Sequence, residues 1–379
     1  MDRPTVVTFA RDATRDTQIG TVVTKIEDVL EDIVDALDEN RELTIPLRSR
    51  PSGNERNIYY QYPDLFGNQQ YVDNLIDDIA FTFGVGRDAL NIVAAFKGLI
   101  AGNVIVTSKD DSILNCSSDS NGTLIPRAEA IHRIDIGQAK WILVIEKEAT
   151  FRGLAESRYF EESAAGRGVL VTVGSLPYRT ASPISGLQIP QGKGYPDLLT
   201  RQFLNLLHSA FPQLPVYALV DFDPSGINIM LTYKHGSLAL SHEQNTTVPG
   251  LSWLGPKSSD ILGYYHDYFP STHSPQTNQP LALTPPSSQE PSCPPSLSSQ
   301  TLSVNEPEVF SHLTTLDRRK AVGLLRKLDM KQNQSIDEVE LVHELQLMLI
   351  LNIKAEIQAV DDAGDMTGWL DGKLSDRLH

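Results

Sequence analysis

The apolar positions fall into two kinds of pattern. Val22, Val23, Ile26, Val29, Leu30, Ile33, Val34 and Leu37 recur every three or four residues, which predicts an amphipathic helix with an acidic outer face. Val72, Leu75, Ile76, Ile79, Ala80 and Phe83 predict a second helix, and a third runs from about Arg87 to Phe96 and closes at Gly98. Farther along, the apolar residues become contiguous. Trp141-Ile142-Leu143-Val144-Ile145, Val169-Leu170-Val171-Thr172 and Val216-Tyr217-Ala218-Leu219-Val220 are short runs bounded by turn residues. Runs of that kind predict strands buried on both faces.

The order of these patterns predicts the architecture. Strands over 141–146, 168–172 and 216–221 alternate with helices near 153–162, over 197–210 and over 226–233. That alternation predicts an α/β domain with a parallel sheet covered on both faces, spanning 128–379. Upstream, Asn103-Val104-Ile105-Val106-Thr107 and Thr123-Leu124-Ile125 read as two strands of a wing behind the helices. Residues 22–127 are therefore expected to form a winged-helix domain after a tail over 1–21. In helix–turn–helix folds one helix enters the major groove while its neighbours hold the backbone. Between Pro275 and Pro295 there are seven prolines among Ser, Thr and Gln. That stretch cannot bury enough apolar surface to offset its ordering entropy, so 271–307 reads as an insertion. Helical periodicity resumes near Leu316 and again from Ile336 to Val360, in helices expected to pack on the sheet or on a partner.

Composition narrows the class. At 379 residues the chain has room for two cores, and a formal net charge of −16 argues against simple electrostatic binding of nucleic acid. A local basic surface and a metal can still hold phosphates. Arg41, Arg48, Arg50 and Arg56 form such a cluster, opposed only by Glu42 and Glu55, and it reads as a DNA-facing or a solvated surface. Two cysteines, Cys116 and Cys293, imply no disulfide framework, which fits a reducing cytosol or nucleus. No run of about 18 apolar residues spans a membrane, the N-terminus lacks a signal-peptide pattern, and no compact basic import cluster is present.

The candidate chemistry sits where the buried runs end. The last strand stops at Asp221-Phe222-Asp223, followed by Pro224-Ser225-Gly226. Side chains two apart on a strand share a face, and open α/β sheets bind ligands at the carboxyl ends of their strands. Two carboxylates that close repel and need a proton or a cation between them. The strand ending at Ile145 is followed by Glu146-Lys147-Glu148. A Glu from one strand and an Asp-x-Asp from another make an all-oxygen pocket suited to Mg²⁺, which keeps waters and bridges to phosphate oxygens. Glu146 and Glu148 share a face by alternation, so geometry leaves either as the ligand. Solvated acidic loops are the competing reading.

A third element gives these carboxylates a context. Arg56-Asn57-Ile58-Tyr59-Tyr60 resembles the Arg-Asp-Ile-(Tyr/Phe)-Tyr motif of the A subunit of topoisomerase VI and its eukaryotic relative, the meiotic double-strand-break transesterase. Further similar stretches are Lys97-Gly98-Leu99-Ile100-Ala101-Gly102, Gly192-Lys193-Gly194-Tyr195-Pro196-Asp197 with Thr200-Arg201, and Tyr233-Lys234-His235-Gly236. The resemblance covers roughly residues 20–270. It implies a winged-helix domain carrying the nucleophile Tyr60 and a Toprim-type domain holding Mg²⁺ through Glu146, Asp221 and Asp223. It also implies double-stranded DNA as substrate, a 5′-phosphotyrosyl link, and a homodimer in which Tyr60 of one protomer acts in the other's metal site. A topoisomerase VI B-like partner subunit, other meiotic break-formation proteins and a nuclear location follow from the same resemblance.

Residue chemistry is compatible with those roles. A phenol has a pKa near 10, so Tyr60 needs activation. Arg56, four residues earlier, shares its face on a helical turn, and a guanidinium there binds a phosphate bidentately. Lys193, between two glycines, is a candidate DNA-backbone contact because glycines allow close approach, or else an exposed turn lysine. His235 reads as structural or as a phosphate neighbour, since no second His stands at ligand spacing.

Three departures from the pattern stand out. Asn57 replaces the usual Asp. No helical period fits between Arg41 and Arg56, where Pro46 and Pro51 discourage one, so a core helix is missing. Val173 to Gln191 interrupts the passage from strand to Gly-Lys-Gly loop without periodicity and reads as an insertion, a short retained intron. Two further readings therefore stand beside the transesterase. One is a catalytically inactive DNA-binding or scaffold subunit, and the other a Toprim nuclease without a covalent step.

Overall fold

The computed structural model describes residues 5–9, 14–38, 69–86, 90, 98–173, 196–237, 243–268, 310–330, 335–360 and 365–378. In chain order the elements are β1 (Val6–Thr8), α1 (Thr14–Asp38), α2 (Gln69–Phe83), β2 (Gly98–Gly102), β3 (Ile105–Ser108), β4 (Ile113–Asn115), β5 (Thr123–Leu124), β6 (Ile131–Asp135) and β7 (Trp141–Ile145). There follow α3 (Glu148–Glu156), α4 (Tyr159–Glu162), β8 (Gly168–Val173), α5 (Leu198–Ala210), β9 (Val216–Leu219), α6 (Pro224–His235), β10 (Leu251–Gly255) and α7 (Ser258–Tyr268). The last are β11 (Phe310–His312), α8 (Thr315–Asp329), α9 (Ile336–Leu351), β12 (Ile353–Ala355), a 3-10 turn (Ile357–Val360) and α10 (Met366–Leu378).

The main sheet has the order β10-β9-β7-β8-β2-β5. Its first four strands are parallel, as the contiguous apolar runs predict. Alternation within each run sends side chains to two separate cores. Ile142, Val144, Val169, Val171, Val216 and Ala218 pack with Phe203, Leu204 and Leu207 of α5 and Ile227 and Met230 of α6. Trp141, Leu143, Ile145, Leu170, Tyr217 and Leu219 pack on the opposite face with Phe151 of α3, Phe160 of α4 and Leu370 and Leu374 of α10. A strand buried on both faces has no polar side, which is why these runs read as unbroken hydrophobicity.

The connections set the position of the site. From β7 the chain leaves toward β8, whereas from the adjacent β9 it leaves toward β10. Neighbouring strands whose connections depart in opposite directions open a crevice at their carboxyl ends. Glu146 and Asp221 follow those two strands.

Several expectations are corrected. The two wing strands belong to different sheets. β3 forms a hairpin with β4 within a four-stranded antiparallel sheet of order β1-β6-β3-β4, while β5 pairs with β2. β2 itself adds antiparallel to β8 from Gly98↔Val173 to Gly102↔Val169, so residues after the third predicted helix complete the main sheet. Val173 is thus a paired strand residue, and the stretch 174–195 lies outside the described residues, as does the proline-rich 271–307. The helix expected near 153–162 is two helices joined at Arg158, which has positive φ. The period from Ile336 to Val360 breaks at Asn352, where φ is 57°, and the chain turns into β12, antiparallel to β11. Apolar spacing alone does not register a left-handed residue that stops a helix.

Candidate metal centre

Glu146 leaves β7 and its Oε2 accepts the Asp221 N–H at 2.9 Å. The Glu146 N–H in turn donates to the Leu219 carbonyl at 3.0 Å. The first two carboxylates are therefore joined through the backbones of adjacent strands. Phe222, between the two aspartates, is buried and stacks on Trp253 with centroids 6.5 Å apart. Its burial holds Asp221 and Asp223 at the surface of the sheet end. The Asp223 N–H donates to the Asp221 carbonyl at 2.9 Å, closing a tight turn.

Asp223 occupies the N-cap of α6, where its Oδ1 accepts the Gly226 N–H at 2.6 Å and Pro224 stands at the first helical position. Asp at an N-cap and Pro directly after it are both favoured at a helix start. Gly226 is required by the space available. A Cβ there would lie 2.4 Å from the Asp221 carbonyl oxygen. The helix therefore approaches the Asp221 loop as closely as a backbone without side chain allows.

A segment far along the chain completes the loop. Phe222 and Ala355 exchange backbone hydrogen bonds at 2.8 and 3.1 Å, and the Ile357 N–H donates to Asp221 Oδ1 at 2.8 Å. Lys147 Nζ donates to Glu356 Oε2 at 2.7 Å and to Gln358 Oε1 at 2.8 Å, and lies 3.3 Å from Asp221 Oδ1. On the other side Asp317, in the capping box of α8, pairs with Lys354 at 2.8 Å. Lys320 of α8 donates to Ser225 in the first turn of α6 at 2.8 Å. Sequence patterns point to none of these contacts except through Lys147, which stands beside Glu146.

Burial and mutual repulsion dominate the electrostatics. Burial, then the Asp221 charge, push Glu146 up to about 8, with Asp223 adding to the effect and the Asp221 N–H and Lys147 opposing it. Asp221 is raised by burial and by Asp223 against the pull of Lys147 and the Ile357 N–H. Asp223 is raised by burial and, further, by Asp317, against the Gly226 and Ser225 N–H groups and Lys354. The cluster thus holds more negative charge than its surroundings neutralise, and favours a proton or a cation.

Of the residues singled out from the sequence, Glu146 and Asp221 are in contact, and Asp223 stands beside them, turned onto the helix terminus. Glu148 lies in the first turn of α3, where Arg152 Nε donates to it at 2.8 Å. β7 ends at Ile145, so the alternation that gave Glu148 the same face as Glu146 does not extend that far. His235 closes α6 and pairs with Glu338 at 3.2 Å, and Lys234 pairs with Asp337 at 3.0 Å, so both serve to seat α9. Asp197 caps α5 through the Thr200 N–H at 2.8 Å, and the buried Arg201 donates Nε to the Thr246 carbonyl at 3.0 Å. Tyr60, Arg56 and Lys193 lie outside the described residues.

The donor set suits a hard divalent cation. Among the described residues no three His, Cys, Asp or Glu side chains converge as a ready-made metal cage. Mg²⁺ does not need one, because it binds through one or two carboxylates with waters and substrate phosphates. Each carboxylate spends one oxygen on a backbone N–H, and each has a second with capacity for a cation. Two adjacent partly buried carboxylates, one more nearby and a raised proton affinity fit that mode of binding. Among the described residues no helix is long and apolar enough to cross a membrane.

Comparison with known proteins finds similarity over two spans of the chain. Residues 187–291 match the family model of the Toprim domain shared by Spo11 and the A subunit of topoisomerase 6. Residues 22–92 match the model "Type IIB DNA topoisomerase". The first span contains Asp221 and Asp223, the second Arg56 and Tyr60, and Glu146 lies between them. The human "Meiotic recombination protein SPO11" is 36% identical over 216 residues, 57% of this chain and 49% of the human protein. "Meiotic recombination protein SPO11-1" of Oryza sativa subsp. indica is 31% identical over 308 residues, 81% of this chain and 63% of that protein. "Meiotic recombination protein rec12" of Schizosaccharomyces pombe is 30% identical over 324 residues, 85% of this chain and 70% of that protein. The chain thus spans about half the length of the human relative and somewhat more of the other two.

Proposed function

Because the chain belongs to the family of Spo11 and the A subunit of topoisomerase 6, we propose that it is a DNA transesterase that makes the double-strand breaks of meiosis. The observation that carries this reading is the contact of Glu146 with Asp221 at the carboxyl ends of adjacent strands. It joins two carboxylates whose burial and repulsion call for a cation, beside a third at a helix N-terminus.

In this reading Tyr60 is the nucleophile. Its phenolic oxygen forms a bond to the scissile phosphorus as the bond from phosphorus to the 3′ oxygen breaks. The phenolic proton leaves Tyr60 and a proton returns to the 3′ oxygen, giving a 5′-phosphotyrosyl link and a free 3′ hydroxyl. Arg56 holds a non-bridging phosphate oxygen and stabilises the charge that develops there. Glu146 and Asp221, with Asp223 beside them, would hold Mg²⁺. When bound there, such an ion would supply positive charge against the phosphate and the leaving oxygen. Lys193 touches the DNA backbone. The substrate is double-stranded DNA, the acting form a homodimer with a topoisomerase VI B-like partner and other break-formation proteins, and the location the nucleus. The reaction is cleavage, and strand passage is not required of this chain.

A second reading, a DNA-binding subunit without cleavage, draws on the interrupted sequence before Arg56 and on the lack of a ready-made three-carboxylate cage among the described residues. A covalent protein–DNA adduct on denaturing gels separates the two. The wild-type chain with its partners forms the adduct in Mg²⁺ and Tyr60→Phe does not, while Tyr59→Phe does. Absence of any adduct from the wild type under conditions where it binds DNA favours the second reading. An adduct that forms with Mg²⁺ and survives Tyr60→Phe removes the nucleophile assignment.

A further inference from the structure

Lys147 follows Glu146 directly, and its ammonium reaches the carboxylates from the side of the 353–358 segment. Nζ is 3.3 Å from Asp221 Oδ1, but only 2.7 Å from Glu356 Oε2 and 2.8 Å from Gln358 Oε1. An ammonium has three donors. Two are therefore placed on acceptors outside the carboxylate cluster, and the contact with Asp221 is the longest of the three. Asp221 Oδ1 already accepts the Ile357 N–H, so it holds its orientation without Lys147. The lysine side chain is 23% exposed, so water can take up the third donor.

Two carboxylates joined as Glu146 and Asp221 are need positive charge nearby. A lysine that supplies it must either stay, and oppose a divalent cation, or retreat. Here the retreat is already built. We propose that Lys147 is a resident placeholder for the divalent cation, a positioning residue. Its ammonium, held by Glu356 and Gln358 throughout, neutralises Asp221 when no divalent cation is held and gives up that third contact when one is. This rests on the reading of Glu146 and Asp221 as cation ligands. The consequence is a site that stays folded without metal and binds the metal weakly. Strong occupancy then requires the additional oxygens of a phosphate.

The test is a Mn²⁺ titration of the full chain by calorimetry at fixed pH, with folding checked by circular dichroism. Lys147→Met and Lys147→Gln both remove the competing charge, and the glutamine keeps an amide donor for Glu356. Both are expected to bind Mn²⁺ at least about fivefold more tightly than wild type, the lower end of usual coupling between two bound species. Lys147→Arg keeps the charge and should stay close to wild type. A lysine that merely braces the loop would give the opposite sign, because its loss would loosen Asp221 and weaken binding. Unchanged or weaker Mn²⁺ affinity in a folded neutral variant overturns the proposal, and if Lys147→Met does not fold, Lys147→Gln decides. Asp221→Asn distinguishes the two levels of the argument. If it binds Mn²⁺ as the wild type does, the cation-site reading fails and Lys147 with it. If it loses Mn²⁺ while the neutral Lys147 variants bind no tighter, only the placeholder is wrong.

Discussion

Gly226→Ala adds one methyl group at the point where α6 meets the Asp221 loop. The new carbon would stand 2.4 Å from the Asp221 carbonyl oxygen, 3.1 Å from its nitrogen and 3.2 Å from its carbonyl carbon. Side-chain carbons do not come within 3.0 Å of such atoms, so helix and loop must part by at least about 0.6 Å. The obstacle is backbone, and no side chain can swing aside. Overpacking of this kind costs roughly 1–3 kcal/mol, against about 1 kcal/mol gained from alanine's better helix propensity. The steric term wins where the backbone cannot yield, and a net loss of up to about 2 kcal/mol is expected in urea denaturation. The parting also moves Asp221 relative to Glu146, and displaced support around a metal ligand typically costs about tenfold or more in affinity. Gly323→Ala is the control. That glycine lies exposed in α8 with nothing within 4 Å, so alanine there should add up to about 1 kcal/mol and leave Mn²⁺ binding unchanged. If Gly226→Ala is as stable as wild type and titrates with Mn²⁺ at the same midpoint, the close approach of α6 does not position the carboxylates.

Three other outcomes are expected. Glu146→Gln should flatten the pH dependence of thermal stability in metal-free protein. Glu146 binds its proton more tightly when folded than when unfolded, so its contribution favours folding at low pH. That contribution declines as pH rises from about 4.5 to about 8. A wild type that gains stability over that window relative to Glu146→Gln would reverse the sign and sink the assignment. Saturating Mg²⁺ should remove most of the same slope from the wild type, read as equal melting temperatures at pH 5 and pH 8 relative to the variant. Asp317→Ala deletes half of the α8 capping box and the partner of Lys354, for a loss of about 1 kcal/mol in a denaturant melt, and no loss there would refute the cap's role.

The parts of the fold that could be read from the sequence are those whose burial is complete. Trp141–Ile145 and Val216–Leu219 are apolar at every position because both faces are covered, and that signal needs no partner to be recognised. The carboxylates were legible for the same reason, since an acidic residue directly after such a run has one place to go. β5 and β12, two and three residues long, carry too little periodicity to reveal their pairing. The hydrogen bonds of Ala355 and Ile357 with the Asp221 loop, and of Glu356 and Gln358 with Lys147, were illegible for a further reason. Three of them use backbone groups, which every residue possesses, and all of them join segments remote in sequence. The contact of Lys147 with Glu356 is likewise a matter of where the chain returns, which local composition does not encode.

Asp221 and Ile357 are 136 residues apart, so the ribosome must make everything between them before the Asp221 carboxylate receives its backbone donor. At usual rates of synthesis that interval is roughly seven to thirty seconds. During it the parallel strands β7, β8 and β9 are all available to pair, while the loop beyond β9 still lacks the strand that brackets Phe222. The contact of Glu146 with Asp221 needs only β7 and β9, so what must wait for the later chain is the support from Ala355 and Ile357. A transcript that ends before codon 355 would leave the Asp221 loop unfastened and would also strip Leu370 and Leu374 from one face of the sheet, so one tail serves both the acidic loop and the core.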